Sequence, residues 1–211
     1  KRAPLIFKEA ARLAKLMGDP ARPVQLVFAG KAHPRDVGGQ DMAREVHAQA
    51  RAAGFVGRVA LVEEYDMHIG RVLTSGADVW LNNPLRPLEA CGTSGMKAAL
   101  NGSLNLSILD GWWAEFYDEE NGWAIPSADS AGDSAERDQL EADSLYDLIE
   151  HQIAPRFYDR NAKGVPSRWV ESIRHTLATL SPALSADRMV KEYVERLYVP
   201  AAAAERAISA T

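Results

Sequence analysis

One stretch of the chain combines residue types that could hold a phosphate group and react with an aldehyde. Residues 86–102 read Arg-Pro-Leu-Glu-Ala-Cys-Gly-Thr-Ser-Gly-Met-Lys-Ala-Ala-Leu-Asn-Gly, which predicts a glycine-containing turn followed by a helix. The Gly-Thr-Ser-Gly segment directly precedes the helical run, so free backbone N–H groups and the positive helix end would converge on one point. Such a point binds anions, most naturally a phosphate. Lys97 lies in the first turn of this helix, and Glu89 precedes the turn.

A lysine next to a phosphate site has two functional interpretations. Lys97 could contribute a positive charge to the anion, or it could be the amine that forms a Schiff base with pyridoxal phosphate. The alternative without a function is an ordinary tight turn with a solvated lysine at a helix start. Short glycine patterns are common, and a glycine turn alone would favour that alternative.

The length of the run decides between these interpretations, because it resembles a known family. Residues 89–102, together with Leu-Asp-Gly-Trp-Trp at 109–113, are similar to the pyridoxal-phosphate segment of the glycogen (α-glucan) phosphorylases. The resemblance is to the short bacterial and archaeal branch, which tends to read Gly-Thr-Ser-Gly-Met-Lys, more than to the animal enzymes. Lys1 and Arg2 match the last two residues of the family's Tyr-Lys-Arg motif.

The resemblance implies catalytic residues and a cofactor. Lys97 would anchor pyridoxal 5′-phosphate as an imine, and Lys1 would reach the phosphate region, with Arg2 beside it. The tyrosine of Glu-Glu-Tyr-Asp, Tyr65, would pack near the cofactor. The donors to the cofactor phosphate would come from Thr93, Ser94 and Gly95.

The resemblance also implies a substrate site. Glu89 would bind sugar hydroxyls, since a carboxylate next to a phosphate would repel it. Gly92 would let the backbone approach the sugar, and Lys31 of the Gly-Lys-Ala-His-Pro turn would line the site. Cys91 stands where many relatives have serine, a near-isosteric change that weakens one donor.

The implied reaction is the reversible phosphorolysis of α-1,4-glucan to α-glucose 1-phosphate with retained configuration. In that chemistry the cofactor's 5′-phosphate lies against orthophosphate and exchanges a proton with it. A phosphate with a second pKa near 6 can act as acid or base close to neutral pH. The implied partners are therefore α-1,4-glucan, orthophosphate and glucose 1-phosphate.

The elements that must position these residues alternate along the chain. Such alternation predicts an α/β fold with a doubly wound parallel sheet that is Rossmann-like, and ligands at the carboxyl ends of its strands. The resemblance implies the C-terminal half of a two-domain glycosyltransferase of the GT-B type. Apolar runs predict strands buried on both faces, at 23–30, 59–62, 78–81 and 104–108. Helical spacing predicts helices at 5–17, 43–53, 67–75 and 140–153, the last stopping at Pro155, and apolar stripes at 169–180 and 189–197.

Composition divides the chain into three parts. Residues 1–126 would form the Rossmann-like cofactor and phosphate domain, 127–136 an exposed, mobile acidic loop, and 137–211 helices that pack on the same domain. The stripes of these helices would be core or domain contacts, and residues 201–211 a frayed helix end. The chain begins Lys-Arg-Ala-Pro without methionine, so we expect a cut C-terminal portion whose helices face an N-terminal domain outside it.

Composition also excludes several functions. The 211 residues are 46% apolar and 25% charged, with a net charge of −5 and no basic block, so a nucleic-acid partner is not expected. The single cysteine excludes a disulfide framework and fits a cytoplasmic protein, and no apolar run is long enough to span a membrane. No metal site is expected, because the histidines lack the spacing of metal ligands, both among themselves and relative to clustered carboxylates. They are His47, His68, His151 and His175.

Two alternatives stay open. A nucleotide-sugar glycosyltransferase, such as a glycogen or starch synthase, has the same architecture and a Pro/Glu/Gly-rich loop after a strand, but no reason to keep Lys97. The isolated chain could also be a folded but inactive half, because the family's N-terminal domain closes the cleft.

Overall fold

The chain alternates short parallel strands with helices, as the sequence pattern predicts. The computed structural model describes residues 1–52 and 54–209. Ala53, the last residue of one predicted helix, and positions 210–211 of the predicted frayed end lie outside the described residues. The strands are β1 Leu26–Ala29, β2 Val59–Val62, β3 Val79–Asn82, β4 Leu104–Ile108 and β5 Gly122–Ile125.

Helices connect the strands in the first part of the chain and follow one another in the second. A 3₁₀ turn, Ala3–Phe7, precedes the first α-helix. The connecting helices are α1 Ala10–Gly18, α2 Val37–Ala50, α3 Met67–Gly76, α4 Thr93–Ala99 and α5 Trp112–Phe116. The later helices are α6 Ser134–Leu148, α7 Ala154–Tyr158, α8 Ser167–Ala183, α9 Ala186–Tyr193 and α10 Val199–Ser209, with π-helical turns at Ile149–Ile153 and Val194–Tyr198.

All strand pairs are parallel, which confirms the α/β class. Hydrogen bonds link the strands in two groups, β1 with β2 and β3-β4-β5 in that order, where the sequence predicted one sheet. Strand β5 and helix α5 were not predicted from the sequence. Gly-Trp-Ala-Ile at 122–125 is no continuous apolar run, and five residues are too few to show a helical period.

The main hydrophobic cluster contains one face of β4, residues of the earlier helices such as Leu13 and Val46, and residues of the later helices. Leu104, Leu106 and Ile108 belong to the main hydrophobic cluster, and every residue of β4 is buried. The expectation of burial on both faces is wrong for β1, where Val27 is 53% exposed. Leu26 and Phe28 pack on the core, and the two-residue alternation of a strand turns Val27 to the opposite side.

The helix boundaries differ from the predicted ones at four places. The predicted helix 43–53 is α2, which begins six residues earlier, at Val37, and ends at Ala50. The predicted helix 5–17 is interrupted between the 3₁₀ turn and α1. The predicted stop at Pro155 is wrong, because the π-helical turn before it makes Pro155 one of the first residues of α7, where a missing N–H is tolerated. Helix α6 begins at Ser134, inside the predicted acidic loop, and the Asp133 side chain caps it by accepting from the N–H groups of Ala135 and Glu136.

The remainder of the acidic loop is tied to its surroundings by ion pairs. The carboxylate of Asp129 lies 3.0 Å from Arg86 Nη1 and 2.7 Å from Arg137 Nη2. Most of residues 127–136 are exposed, as expected, and the mobility of this segment stays a prediction.

The last apolar stripe is exposed in the described part of the chain. Each of its side chains has at least 41% of its surface accessible: Met189, Val190, Tyr193, Val194 and Leu197. The stripe is therefore not part of the core of the described residues. That it contacts another domain stays a prediction. No helix within residues 1–52 and 54–209 has the length and apolar character needed to cross a bilayer.

Candidate functional site

The turn before α4 requires glycine at its last position. Gly92 occupies the N-cap position with φ 89° and ψ 49°, in the left-handed region. A Cβ atom at Gly92 would lie 3.0 Å from Glu89 Oε1 and 3.3 Å from Trp112 Cδ1. The turn thus brings the backbone close to the Glu89 carboxylate, and a larger residue would displace it.

Helix α4 presents the predicted phosphate-binding residues at its start. No side chain caps the helix, and the N–H of Gly95 donates to the carbonyl of Gly92 at 3.1 Å. Thr93 is exposed and Ser94 is half-buried at this end. Because the Gly95 N–H is already bonded to Gly92, the backbone donors that this helix start offers to an anion are those of Thr93 and Ser94.

Lys97 projects from α4 into solvent. Its side chain is exposed, and among the described residues none forms a hydrogen bond or ion pair with Lys97 Nζ. The Asn101 amide donates to the Lys97 carbonyl at 2.8 Å, which steadies the backbone at this residue. The amine is therefore accessible for reaction with an aldehyde.

Lys1 and Glu89 meet at the carboxyl end of β3. Lys1 Nζ lies 3.0 Å from Glu89 Oε1 and donates to Asn82 Oδ1 at 2.8 Å. The Glu89 side chain is only 11% exposed, so the lysine neutralises a carboxylate that has little access to water. The structure thus brings together two predicted site residues that are far apart in sequence.

The guanidinium of Arg2 donates hydrogen bonds to a backbone carbonyl and to two carboxylates. Its Nη2 donates to the Pro84 carbonyl at 2.8 Å and also contacts Glu141, and its Nη1 lies 2.6 Å from Asp138. In return, the Asn83 amide donates to the Arg2 carbonyl at 2.9 Å. Arg2 therefore fixes the segment that follows β3, and its direct catalytic role stays a prediction.

Glu141 is a buried carboxylate that the sequence analysis missed. Its side chain is 0% exposed and accepts from Arg2, from Arg137 Nε at 3.0 Å and from the Ala128 N–H at 3.0 Å. Burial raises the pKa of this carboxyl, but the hydrogen bonds from Arg2, Ala128 and Arg137 outweigh burial and hold the pKa below its usual value. The acid was hidden in an acidic stretch, where only its helical register could have distinguished it.

Asp110, which lies just after β4, holds the loop before α4 in place. Its Oδ2 accepts from the Glu89 N–H at 2.9 Å and its Oδ1 from the Gly111 N–H at 2.9 Å. The Trp112 N–H then donates to the Cys91 carbonyl at 2.9 Å. Its position directly after a strand was the sequence signal, but the sequence analysis gave it no role.

Three further predicted residues have other neighbours. Lys31 Nζ lies 3.5 Å from Glu64 Oε2, and the Tyr65 ring lies against Gly70 at the start of α3. Helix α3 packs on α4, but the contacts of Lys31 and Tyr65 do not join them to the Lys1–Glu89 pair. Cys91 is exposed, with Sγ 3.7 Å from Met96 Sδ. Their binding roles stay predictions.

The expectation that the histidines lack clustered carboxylates is wrong for His151, and also for His175, whose ring nitrogens lie 2.7 Å from Asp118 and 3.3 Å from Glu120. Asp147, Glu150 and His151 lie within reach of one another, because positions three and four apart share a helix face. Arg12 occupies this group, with its Nη2 2.7 Å from Glu150 Oε2 and in contact with Asp147. The cluster is thus an ion-pair network that joins α1 to α6.

The residues around α4 fit pyridoxal phosphate. Lys97 lies in the last turn of the seven-residue α4, so the prediction that it lies in the first turn is wrong. Its accessible amine is still carried by the helix whose start is uncapped, and a Cβ at Gly92 or Gly95 would lie 3.0 Å or less from another side chain. A Cβ at Gly95 would lie 2.7 Å from Asn105 Oδ1 and 3.0 Å from Trp112 Nε1. Gly95 therefore lets α4 pack closely on Asn105 and Trp112, and the fit to the cofactor rests on the accessible Lys97 amine and the uncapped helix start.

Comparison with known proteins decides the family. Residues 6–122 match the model of the family described as carbohydrate phosphorylase. The chain belongs to this family. Among similar phosphorylases, the glycogen phosphorylase of Mycobacterium bovis is 57% identical over 202 residues, which are 96% of this chain and 23% of that protein.

More distant phosphorylases match along nearly the whole chain. The maltodextrin phosphorylase of Thermococcus litoralis is 45% identical and the glycogen phosphorylase of Aquifex aeolicus 44% identical. These matches cover 96% and 94% of this chain, and 24% and 28% of those proteins. The chain thus spans about a quarter of the length of these curated relatives.

A solved structure supports the fold. The structure of Anabaena Alr3699/HepE in complex with UDP and glucose superimposes with a TM-score of 0.62 at 19% identity, over 92% of this chain and 44% of that chain. At this identity the likeness concerns the fold alone. The phosphorylase chain has the Rossmann-like fold expected of the C-terminal half of a GT-B glycosyltransferase.

Proposed function

We propose that the protein carrying this chain catalyses the phosphorolysis of α-1,4-glucan, with α-glucose 1-phosphate as the product. The geometry that supports this most directly is the accessible Lys97 on α4, the helix whose N-cap Gly92 lies against the Glu89 carboxylate of the Lys1–Glu89 pair. Family membership and relatives named glycogen and maltodextrin phosphorylase support the same reaction class.

The cofactor in this proposal is pyridoxal 5′-phosphate. Lys97 would hold its aldehyde carbon, and the start of α4 would hold its phosphate through Thr93 and Ser94. When bound, the cofactor supplies a phosphate that can donate and accept a proton near neutral pH. Asp110 and Trp112 keep the loop before α4 in place.

The charged pair at the end of β3 prepares the substrate site. Lys1 offsets the Glu89 charge and supplies positive charge where orthophosphate and the cofactor phosphate must approach each other. Glu89 has little access to water and can accept hydrogen bonds from sugar hydroxyls through its second oxygen. These groups are in place before substrate binds, which reduces the reorganisation that the reaction requires.

The rest of the polypeptide would complete the cleft. Because the chain spans about a quarter of its relatives, we propose that it binds the cofactor but does not catalyse phosphorolysis alone. The exposed stripe of Met189, Tyr193 and Leu197 would face that remainder. A cytoplasmic location stays part of the proposal, as do the roles of Lys31, Tyr65 and Cys91.

The synthase-like alternative is not favoured. A nucleotide-sugar donor carries its own phosphates and needs no reactive lysine on α4, whereas the matched family and relatives are phosphorylases. The test uses the full-length protein with glycogen and orthophosphate. We expect glucose 1-phosphate from the wild type and from Lys163→Ala, which alters an exposed lysine elsewhere, but not from Lys97→Ala. Glucose transfer from a nucleotide sugar, unaffected by Lys97→Ala, would contradict the proposal.

A further inference from the structure

Strand β4 has one polar face within a buried sheet. Leu104, Leu106 and Ile108 point to the main core, so alternation places Asn105 and Ser107 together on the opposite face. Asn105 is 1% exposed and Ser107 2% exposed. Buried polar groups cost free energy unless they are hydrogen-bonded, so these two residues need partners.

The partners of both residues belong to segments that carry the candidate site. The Asn105 amide donates to the Gly95 carbonyl at 3.2 Å, in the first turn of α4. The hydroxyl of Ser107 accepts from the Asn82 amide at 3.4 Å, and Asn82 in turn accepts from Lys1 Nζ at 2.8 Å. The polar face of β4 is thus hydrogen-bonded to Gly95 of α4 and, through Asn82, to Lys1 of the candidate site.

The contact between Asn105 and α4 restricts how far the helix can move relative to β4. Gly95 has no side chain, and a Cβ there would lie 2.7 Å from Asn105 Oδ1. Helix α4 can therefore approach β4 closely, and the Asn105 amide fixes its depth through one hydrogen bond. Lys97 lies two residues beyond the bonded carbonyl, on the same short helix.

We propose that Asn105 is a positioning residue that sets the depth of α4 and thereby directs Lys97 toward the cofactor. The proposal rests on the proposed function, because it assigns Lys97 to pyridoxal phosphate. A buried amide is suited to this role, since losing it leaves the Gly95 carbonyl without one of its donors while the helix itself can still form.

The test compares Asn105→Leu with Asn121→Leu in the full-length protein. Asn121 is a matched control because it is also fully buried and its amide donates to a backbone carbonyl, that of Phe116, at 2.7 Å. Its bonded carbonyl belongs to α5 and not to α4. If Asn105→Leu does not fold, Asn105→Ala removes the same donor without added bulk.

Two readouts separate positioning from general stability. We expect Asn105→Leu to bind pyridoxal 5′-phosphate roughly 3- to 10-fold more weakly by absorbance titration, the loss that one buried hydrogen bond predicts. We also expect faster hydrogen exchange of the α4 amides in the cofactor-free protein. Asn121→Leu should lower the melting temperature but leave cofactor affinity and α4 exchange unchanged.

The outcomes distinguish this inference from the proposed function. Unchanged α4 exchange and unchanged cofactor affinity in Asn105→Leu would overturn the positioning role, as would equal losses in Asn121→Leu. A wild-type protein that takes up no pyridoxal phosphate would instead overturn the proposed function. In that case α4 exchange alone still shows whether Asn105 holds the helix.

Discussion

The Nζ of Lys1 lies 3.0 Å from Glu89 Oε1, at the carboxyl end of β3. This pair joins the first residue of the chain to the loop before α4, which are 88 positions apart in sequence. Asn82, the last residue of β3, accepts a hydrogen bond from the Lys1 amine. Asp110, just after β4, accepts one from the Glu89 N–H. The candidate site is therefore assembled by sheet topology and not by local sequence alone.

Replacing Lys1 with glutamine should lower kcat/KM for orthophosphate in the full-length protein by about 10²-fold, because a fixed positive charge next to the phosphate site is lost. Bound cofactor, followed by its absorbance, should be retained. Lys8→Gln is the control, since Lys8 is exposed nearby and only reaches the Ala135 carbonyl at 3.4 Å. Equal kinetics in wild type and Lys1→Gln would exclude this role.

The glycine at the start of α4 offers a test with a close control. Gly92→Ala and Gly164→Ala both place a side chain at positive φ, 89° and 75°, which costs each about 1–2 kcal/mol of stability. The added Cβ meets Glu89 only at Gly92, whereas nothing lies within 4 Å at Gly164. We expect both variants to melt at lower temperature, Gly92→Ala more so because its Cβ also displaces Glu89, and loss of phosphorolysis only in Gly92→Ala. An active Gly92→Ala enzyme would show that the Glu89 position is not critical.

Glu141→Gln should destabilise the fold by about 3 kcal/mol, because Arg2 and Arg137 would keep their charges without the buried carboxylate. Urea unfolding at neutral pH measures this loss. Glu150→Gln is the comparison, since Glu150 pairs with Arg12 at a more exposed position and should cost less. If Glu141→Gln lost no more unfolding free energy than Glu150→Gln, the buried contacts of Glu141 with Arg2 and Arg137 would not be the stronger ones.

The same carboxylate should contribute to acid unfolding. The pKa of Glu141 in the folded chain lies below its ordinary value of 4.5, so its stabilisation is present above 4.5 and lost as pH falls through the lower folded pKa. Stability measured against pH should therefore fall less steeply below pH 4.5 in Glu141→Gln than in the wild type. Parallel acid limbs would assign the acid sensitivity to other groups.

The local features of the site were predictable from sequence, but its long-range contacts were not. The Gly-Thr-Ser-Gly-Met-Lys run predicted a turn and a helix, and α4 begins at Thr93. The hydrogen bond between Asn105 and Gly95 depends on which face of β4 meets α4, and a buried five-residue strand does not reveal this. Glu141 was similarly concealed, because burial of one acid among many depends on tertiary packing.

The helical part shows the same division. Periodicity located α8 and the buried face of α6, but the π-helical turn at Ile149–Ile153 shifted the register before Pro155. One inserted residue per turn leaves no clear signal in an apolar pattern. The stripe on α9 was recognised, whereas its exposure depends on what lies next to it in space.

The assignment of Lys97 as the cofactor-binding lysine can be tested by locating the cofactor on the chain. The full-length protein would be reconstituted with pyridoxal 5′-phosphate, reduced with borohydride, digested and analysed by mass spectrometry. We expect one phosphopyridoxyl group, on the peptide that contains Lys97, and none in Lys97→Ala. Labelling of another lysine with Lys97 unmodified, or full phosphorolytic turnover in Lys97→Ala, would contradict this assignment.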